Sequence, residues 1–441
     1  MTDGGSERAR RGFETSRSGS EKSRPGLEAS LGGVDPARTG SRAARGGAGT
    51  THPGSEESRG GAETTARAPW QTRPDSRQVL ERLEELVRVE SPSRDLDANR
   101  KVTDLLVSWF QRIGLEPQRI DSSSGIHLIV DDPGDGVGDP VLLVGHSDTV
   151  WPIGALTDQV PWVHDGDVLR GPGALDMKSG LVIILTALEK LRSRPHRPVR
   201  VVITCDEEIG SPTGTAICRQ AAEGVVGAIG FECPHPDGAL KVGRRGSTRL
   251  RVSVTGRAAH AALDPESGIS AIDELVDQLV GVRPVIAEAS RIKEVLCNVG
   301  IISGGARANV IPGHAQAEIG LRFLESQSES YVLDRLTSLT PVREGARIDS
   351  EILTHRPTWA PKASDQALLA EIAAAGAALG QTIEGRPAAG AGDTNLVGGP
   401  LGIPAVDGFG PMGGGAHAVS EHILVPTLFD RLDLLVRFLE R

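Results

Sequence analysis

The chain has 441 residues, about three times the ~150 residues usual for one domain, so a peptide-sized or disulfide-stapled scaffold is excluded and two or more domains are expected. With 38% hydrophobic residues, 24% charged residues and a formal net charge of −10, it reads as a soluble globular protein with no bulk attraction to nucleic acid or anionic lipid. Aromatic residues at 3% argue against a base-stacking surface. Cys205, Cys218, Cys233 and Cys297 show no CxxC spacing and no disulfide framework, which suits the reducing cytoplasm. No run approaches the ~18 apolar residues of a membrane span.

Residues 1–74 are rich in Arg, Ser, Gly and Thr with acids interspersed. They lack the apolar middle of a signal peptide and the acid-poor pattern of a transit peptide, and are expected to form a disordered arm. Order is expected from Asp75, where Val79, Leu80, Leu83, Leu86 and Val87 recur at helical spacing. A Ser-Pro-Ser break follows, then a second helix carrying Val102, Leu105, Leu106, Trp109 and Phe110. His127 to Val130, Val141 to Val144 and Val199 to Ile203 read as short buried strands, and Leu181 to Leu191 as a helix. This alternation predicts an α/β domain: a mixed, mostly parallel sheet with helices on both faces, in which ligands gather at the C-terminal strand ends.

From Lys241 the texture changes, since Leu250, Val252 and Val254 alternate with polar residues as in a half-exposed strand. A helix over Ile269 to Val280, strands over Val295 to Ile302 and Ala315 to Phe323, and a helix near Tyr331 to Leu339 complete an α/β sandwich. The helix Gln366 to Leu379 and the apolar stretch Ile403 to Phe409 resume the first texture. The expected organisation is therefore one domain over 75–240 and 356–441, interrupted by a second over 241–355. Arg244-Arg245 could steer an anionic substrate but reads first as a solvated turn.

Chemistry-bearing residues cluster at the ends of the apolar runs. Gly145-His146-Ser147-Asp148 pairs a histidine with an aspartate two positions on, a spacing that lets the carboxylate orient a metal-bound imidazole. Asp176 arrives in a Gly/Pro-rich loop just before a helix, which it could equally cap. Cys205-Asp206-Glu207-Glu208 and Phe231-Glu232-Cys233-Pro234 each follow an apolar strand. Three successive acids at a buried strand end repel one another unless cations or solvent compensate. His417 lies in a glycine-rich turn ahead of Glu421. Two histidines and three carboxylates so placed are the right number and type for two Zn²⁺ ions sharing a bridge.

In this order of segments the chain resembles the co-catalytic zinc peptidases and amidohydrolases, the family of glutamate carboxypeptidase, acetylornithine deacetylase, succinyl-diaminopimelate desuccinylase and the dipeptidases. The likeness runs from about Asp75 to the C-terminus. It implies that His146, Asp176 and Glu232 hold one zinc and Asp176, Glu208 and His417 the other, with Asp148 orienting His146 and Glu207 serving as general base. Co²⁺ or Mn²⁺ would suit the same donors. The inserted sandwich resembles the family's lid, which is also its dimerisation domain. The resemblance gives His260 a role at the partner subunit's oxyanion, and Asn309 and Arg322 the substrate's free carboxylate, which the planar fork of arginine suits. Two departures stand out: Ser179 where glycine is usual, and Cys233 inserted before Pro234.

The implied function is hydrolysis of an amide bond that releases a C-terminal amino acid from an N-acyl amino acid or short peptide, by a cytoplasmic homodimer. A dipeptidase or aminopeptidase of the same family, and a noncatalytic metal-binding or biosynthetic relative, are the alternatives.

Overall fold

The computed structural model describes residues 69–441. The expected arm lies outside the described residues except at its end. There Pro69–Thr72 forms a 3₁₀ turn whose Trp70 stacks on Phe429, with ring centroids 6.1 Å apart, and donates from its indole nitrogen to Asp167 at 2.6 Å. Order thus begins ahead of Asp75: a tryptophan needs an apolar bed and an acceptor, and the body of the protein offers both.

In chain order the main elements are α1 (Ser76–Arg88), α2 (Leu96–Arg112), β1 (Gln118–Ser122), β2 (Gly125–Asp132), β3 (Val141–His146), α3 (Ser179–Leu191), β4 (Val199–Thr204), α4 (Gly214–Ala221) and β5 (Gly227–Gly230). These are followed by β6 (Gly246–Thr255), α5 (Ala271–Ile292), β7 (Val295–Gly304), β8 (His314–Phe323), α6 (Ser326–Leu336), β9 (Arg347–Arg356), α7 (Ala363–Ala377), β10 (Ala405–Val406) and α8 (Val425–Leu439). Val79, Leu83, Leu86 and Val87 form the buried face of α1, and the Asp95 carboxylate caps α2 by accepting from the Ala98 amide at 3.0 Å.

The larger sheet has the order β1-β2-β4-β3-β5-β10. β4, β3, β5 and β10 run parallel, while β1 and β2 are antiparallel additions at one side. Successive side chains alternate between two cores. Leu143, Val201 and Ile203 face the cluster built with α1, α2, α3 and α8, whereas Leu142, Val144 and Val202 face α4 and the short helix Thr394–Gly398. Helices therefore cover both faces, as the strand–helix alternation predicts. The register sets His146 beside Thr204 and Val144 beside Gly230, so β3, β4 and β5 all end at the same rim.

The second sheet, β7-β8-β6-β9, is wholly antiparallel. α5 and α6 cover one face of it, around Leu250, Val252, Val254, Leu275, Ala317, Ile319, Leu321 and Leu336. Both helices differ from the sequence expectation: α5 continues through Pro284 to Ile292, and α6 starts at Ser326. The two chain crossings between the sheets lie side by side, where Arg244 and Trp359 exchange backbone hydrogen bonds of 2.8 and 3.1 Å. Asn395 clamps them, its amide donating to the carbonyls of Arg244, Arg245 and Pro357 at 3.3, 3.1 and 2.9 Å. Gly246 permits this approach, because a Cβ there would lie 2.5 Å from Thr358 Oγ1 and 2.9 Å from the Thr358 amide. Arg244 is not in a solvated turn: it is buried and ion-paired with Asp407. Among the described residues no helix is long and apolar enough to cross a membrane.

Candidate active site

The common rim of β3, β4 and β5 gathers the residues singled out by the sequence. His146 ends β3, Glu207 and Glu208 lie on the turn after β4, and Glu232 follows β5. Asp176 comes from the loop before α3, and His417 from a hairpin between the short strands Gly413–Gly414 and His422–Leu424. His146 Nε2 lies 3.2 Å from Asp176 Oδ1 and 3.3 Å from Glu232 Oε1. His417 Nε2 lies 3.3 Å from Asp176 Oδ2 and 3.1 Å from Glu208 Oε2. The two oxygens of one carboxylate thus face two different histidines, each of which has a second carboxylate of its own.

Two residues not in that cluster hold its parts together. Asp148 accepts from the backbone amides of Glu207 and Glu208 at 3.1 and 3.2 Å and from Ser93 Oγ at 2.6 Å, and lies 3.4 Å from His146 Nδ1. It therefore fixes the ring and the acidic turn against each other. Glu421, fully buried, accepts from the Trp151 indole at 2.6 Å and from the amides of Gly173, Leu175 and Asp176 at 3.1, 2.9 and 3.2 Å. It joins the His417 hairpin to the Asp176 loop. The sequence marks Glu421 only by its nearness to His417.

Glu207 is held differently. Its carboxylate Oε1 receives Arg356 Nη2 at 2.7 Å, and the same guanidinium donates to Ser211 Oγ at 3.0 Å and lies 3.3 Å from Asp393. Arg356 ends β9, just where the chain leaves the second sheet, and sequence reasoning misses it, because an arginine before a proline carries no local signal of a buried partner. Asp393 lies in the Ala391 to Asn395 loop and also accepts from Thr204 Oγ1 at 2.7 Å.

The electrostatics follow from this packing. Burial pushes the Glu207 carboxyl well above the ordinary range, against the pull of Arg356 and His146. Burial likewise raises Glu208, opposed by His417. Asp176 also loses solvent, but the two imidazoles outweigh that loss and hold it well below the usual carboxylate range. In return Asp176, then Glu208, raises His417 to about 10.

This donor set fits divalent cations. The ligand atoms of His146, Asp176 and Glu208, and those of His146, Glu207 and Glu232, lie within 4.8 Å of one another. Glu208 Oε1 is buried with no hydrogen-bond partner, an oxygen that a cation would satisfy. A gap of ≈ 10 Å³ bounded by His146, Glu207 and Glu232 suits one ion or one water.

His260, Asn309 and Arg322 all belong to the second sheet region. His260 lies on a two-residue strand paired with Val310–Ile311, and its Nδ1 accepts from the amides of Ala262 and Leu263 at 3.2 and 3.1 Å. The Asn309 carbonyl accepts from the Ala261 amide at 3.0 Å, so these two residues share one loop cluster. Arg322 is exposed on β8 and donates to the Leu321 carbonyl at 3.0 Å. Among the described residues, no hydrogen bond or ion pair joins these three to the rim cluster.

An open α/β layer with imidazoles and carboxylates massed at its strand ends is an arrangement suited to divalent cations. Residues 142–441 match Peptidase family M20/M25/M40, and the chain belongs to that family. Carboxypeptidase G2 from Pseudomonas sp. is 25% identical over 371 residues, covering 82% of this chain and 88% of the relative. An M20 family metallo-carboxypeptidase from Sulfolobus solfataricus, at 15% identity, superposes with a TM-score of 0.63 over 82% of this chain and 98% of its own. The aminopeptidase PepT from Bacillus cereus, at 20% identity, gives 0.61 over 82% and 97%. These likenesses support the α/β fold expected from the sequence, and the family makes the chain a metal-dependent peptidase or hydrolase.

Proposed function

We propose that the protein is a dinuclear zinc hydrolase that releases a C-terminal amino acid from an N-acyl amino acid or short peptide. The observation that carries this reading is Asp176, whose two oxygens face His146 and His417 while Glu232 and Glu208 flank the outer sides. His146, Asp176 and Glu232 would hold one ion, and Asp176, Glu208 and His417 the other; Co²⁺ or Mn²⁺ would suit the same nitrogen and oxygen donors. When bound, such ions acidify water and polarise the scissile carbonyl.

Glu207 supplies what remains: a carboxylate that takes the nucleophilic water's proton and returns it to the leaving nitrogen. Arg356 keeps that carboxylate turned in one direction, and Asp148 fixes His146. Arg322 and Asn309 receive the substrate's free carboxylate, and His260 steadies the oxyanion across a homodimer. The dimer reading is supported by β7, an edge strand that leaves Leu296, Val299, Ile301 and Ile302 exposed. A cytoplasmic setting is supported by four cysteines that all remain free.

The test is a zinc-loaded panel of N-acyl amino acids and dipeptides with free or amidated C-termini. Turnover of the free acids alone is expected, and Glu207→Gln should lower it by about 10²–10⁴-fold with metal content unchanged. Equal cleavage of amidated peptides would move the assignment to an aminopeptidase or dipeptidase. Undiminished turnover in Glu207→Gln would remove Glu207 from its role.

A further inference from the structure

A cavity of ≈ 350 Å³ opens beside α8, bounded by Gly238, Glu384, Met412, Thr427, Asp430 and Arg431 among others. It shares no residue with the rim cluster. Arg431 is only 6% exposed, yet it makes no ion pair with any described residue. Its hydrogen bond runs from Nη2 to the Gly238 carbonyl, and its guanidinium carbon lies 5.9 Å from the centre of the Phe409 ring. A guanidinium carries five donors and a permanent charge, and a buried charge without an opposite one is destabilising. Arg244, the other buried arginine among the described residues, is neutralised by Asp407, and the half-buried Arg356 by Glu207 and Asp393. Burial accordingly lowers the Arg431 pKa to about 10, with Asp430 opposing.

The rim of the cavity has the opposite sign. Asp430 precedes Arg431 on α8, so the two side chains diverge around the helix and form no ion pair with each other. Among the described residues the Asp430 carboxylate makes no hydrogen bond or ion pair at all, and Glu384 is exposed beside it. An unpaired cation at the base and unpaired acids at the rim disfavour a phosphate, which the acids would repel, and a simple amine, which Arg431 would repel. They match a molecule bearing both charges a short distance apart. The volume falls at the small end of ligand pockets.

We propose that this cavity binds a free α-amino acid as its zwitterion, with the carboxylate on Arg431 and the ammonium group towards Asp430 and Glu384. The site is separate from the one that carries the hydrolysis reading and does not depend on it.

Calorimetric titration of the metal-loaded protein with glycine, alanine, acetate and methylammonium tests this. Glycine and alanine are expected to bind at least tenfold more tightly than acetate or methylammonium. Arg431→Met, which keeps the packed stem, should weaken the amino acids at least tenfold while leaving turnover in their absence unchanged. Asp430→Asn, at an exposed position, should weaken the amino acids but not acetate, and it serves as the decisive variant should Arg431→Met fail to fold. Equal amino-acid affinity in wild type and both variants, equal affinity for acetate and glycine, or no heat with glycine would each overturn the proposal.

Discussion

Glu207 and His127 show how burial sets the chemistry of single groups. In Glu207 the loss of solvent favours the protonated carboxyl while Arg356 favours the ionised one, so one residue from the second sheet balances the acid at the rim. His127 has no ion-pair partner, only carboxylates farther off. It is fully buried on β2, its Nδ1 accepts from the Cys205 amide at 3.3 Å, and its Nε2 meets Ser122 Oγ at 3.1 Å and Thr213 Oγ1 at 2.9 Å. That pattern selects the neutral ring, and burial lowers its pKa against Asp206, Asp393 and Asp148. Because the folded value lies below the unfolded ~6.5, the unfolded chain takes up the proton first. The contribution of His127 to stability is complete above that pH and is lost as pH falls from it through the folded value. Melting curves between pH 7.5 and 5 should therefore drop less steeply for His127→Gln than for wild type; parallel curves would show that the ring does not titrate in this way.

The residues that act through backbone position were readable from the sequence, and those that act through distant partners were not. His146, Asp176, Glu207, Glu208, Glu232 and His417 each sit beside an apolar run or a glycine-rich loop, so strand ends could be inferred and the groups counted. Arg356, Asp393 and Glu421 take their places from residues 37 to 270 positions away, as Arg356–Asp393 and Glu421–Trp151 show, and the sequence marks Glu421 only by its nearness to His417.

Among the elements, α3 packs directly behind the rim. It follows directly on the Asp176 loop and is largely apolar, with Leu181, Val182, Ile183, Ile184 and Leu185 buried between the sheet and α8. Ile184→Ala should cost about 2–5 kcal/mol in urea unfolding, whereas Leu263→Ala, at 81% exposure, should stay within about 0.5 kcal/mol of wild type. Similar midpoints for both would mean that α3 does not unfold with the layer. The helix was visible in the sequence because apolar residues fill most of Leu181 to Leu191. β9 was not, since Arg347, Asp349, Glu351 and Arg356 break up any apolar run; it pairs along β6 at the sheet edge, where charge is tolerated. The end of α5 was obscured for another reason: Pro284 ordinarily signals a stop, yet the helix runs on to Ile292.

For the whole molecule, β7 bears on the number of subunits. β7 offers free backbone groups and an apolar strip of Leu296, Val299, Ile301 and Ile302, a combination that a single chain would ordinarily cover. Light scattering should give twice the 46.3 kDa chain mass, and Ile301→Lys should return it to one chain with loss of turnover. A fully active single chain would remove His260 from the reaction. The paired crossings at Arg244 and Trp359 bear on the same question. A segment whose two ends are hydrogen-bonded neighbours can be lengthened, exchanged for another or cut out and bridged by a short turn without rerouting any strand of the remaining layer. Selection on assembly and substrate choice can therefore act on the insert while the cluster of His146, Asp176, Glu208, Glu232 and His417 stays where it is, so long as Arg356 is kept against Glu207.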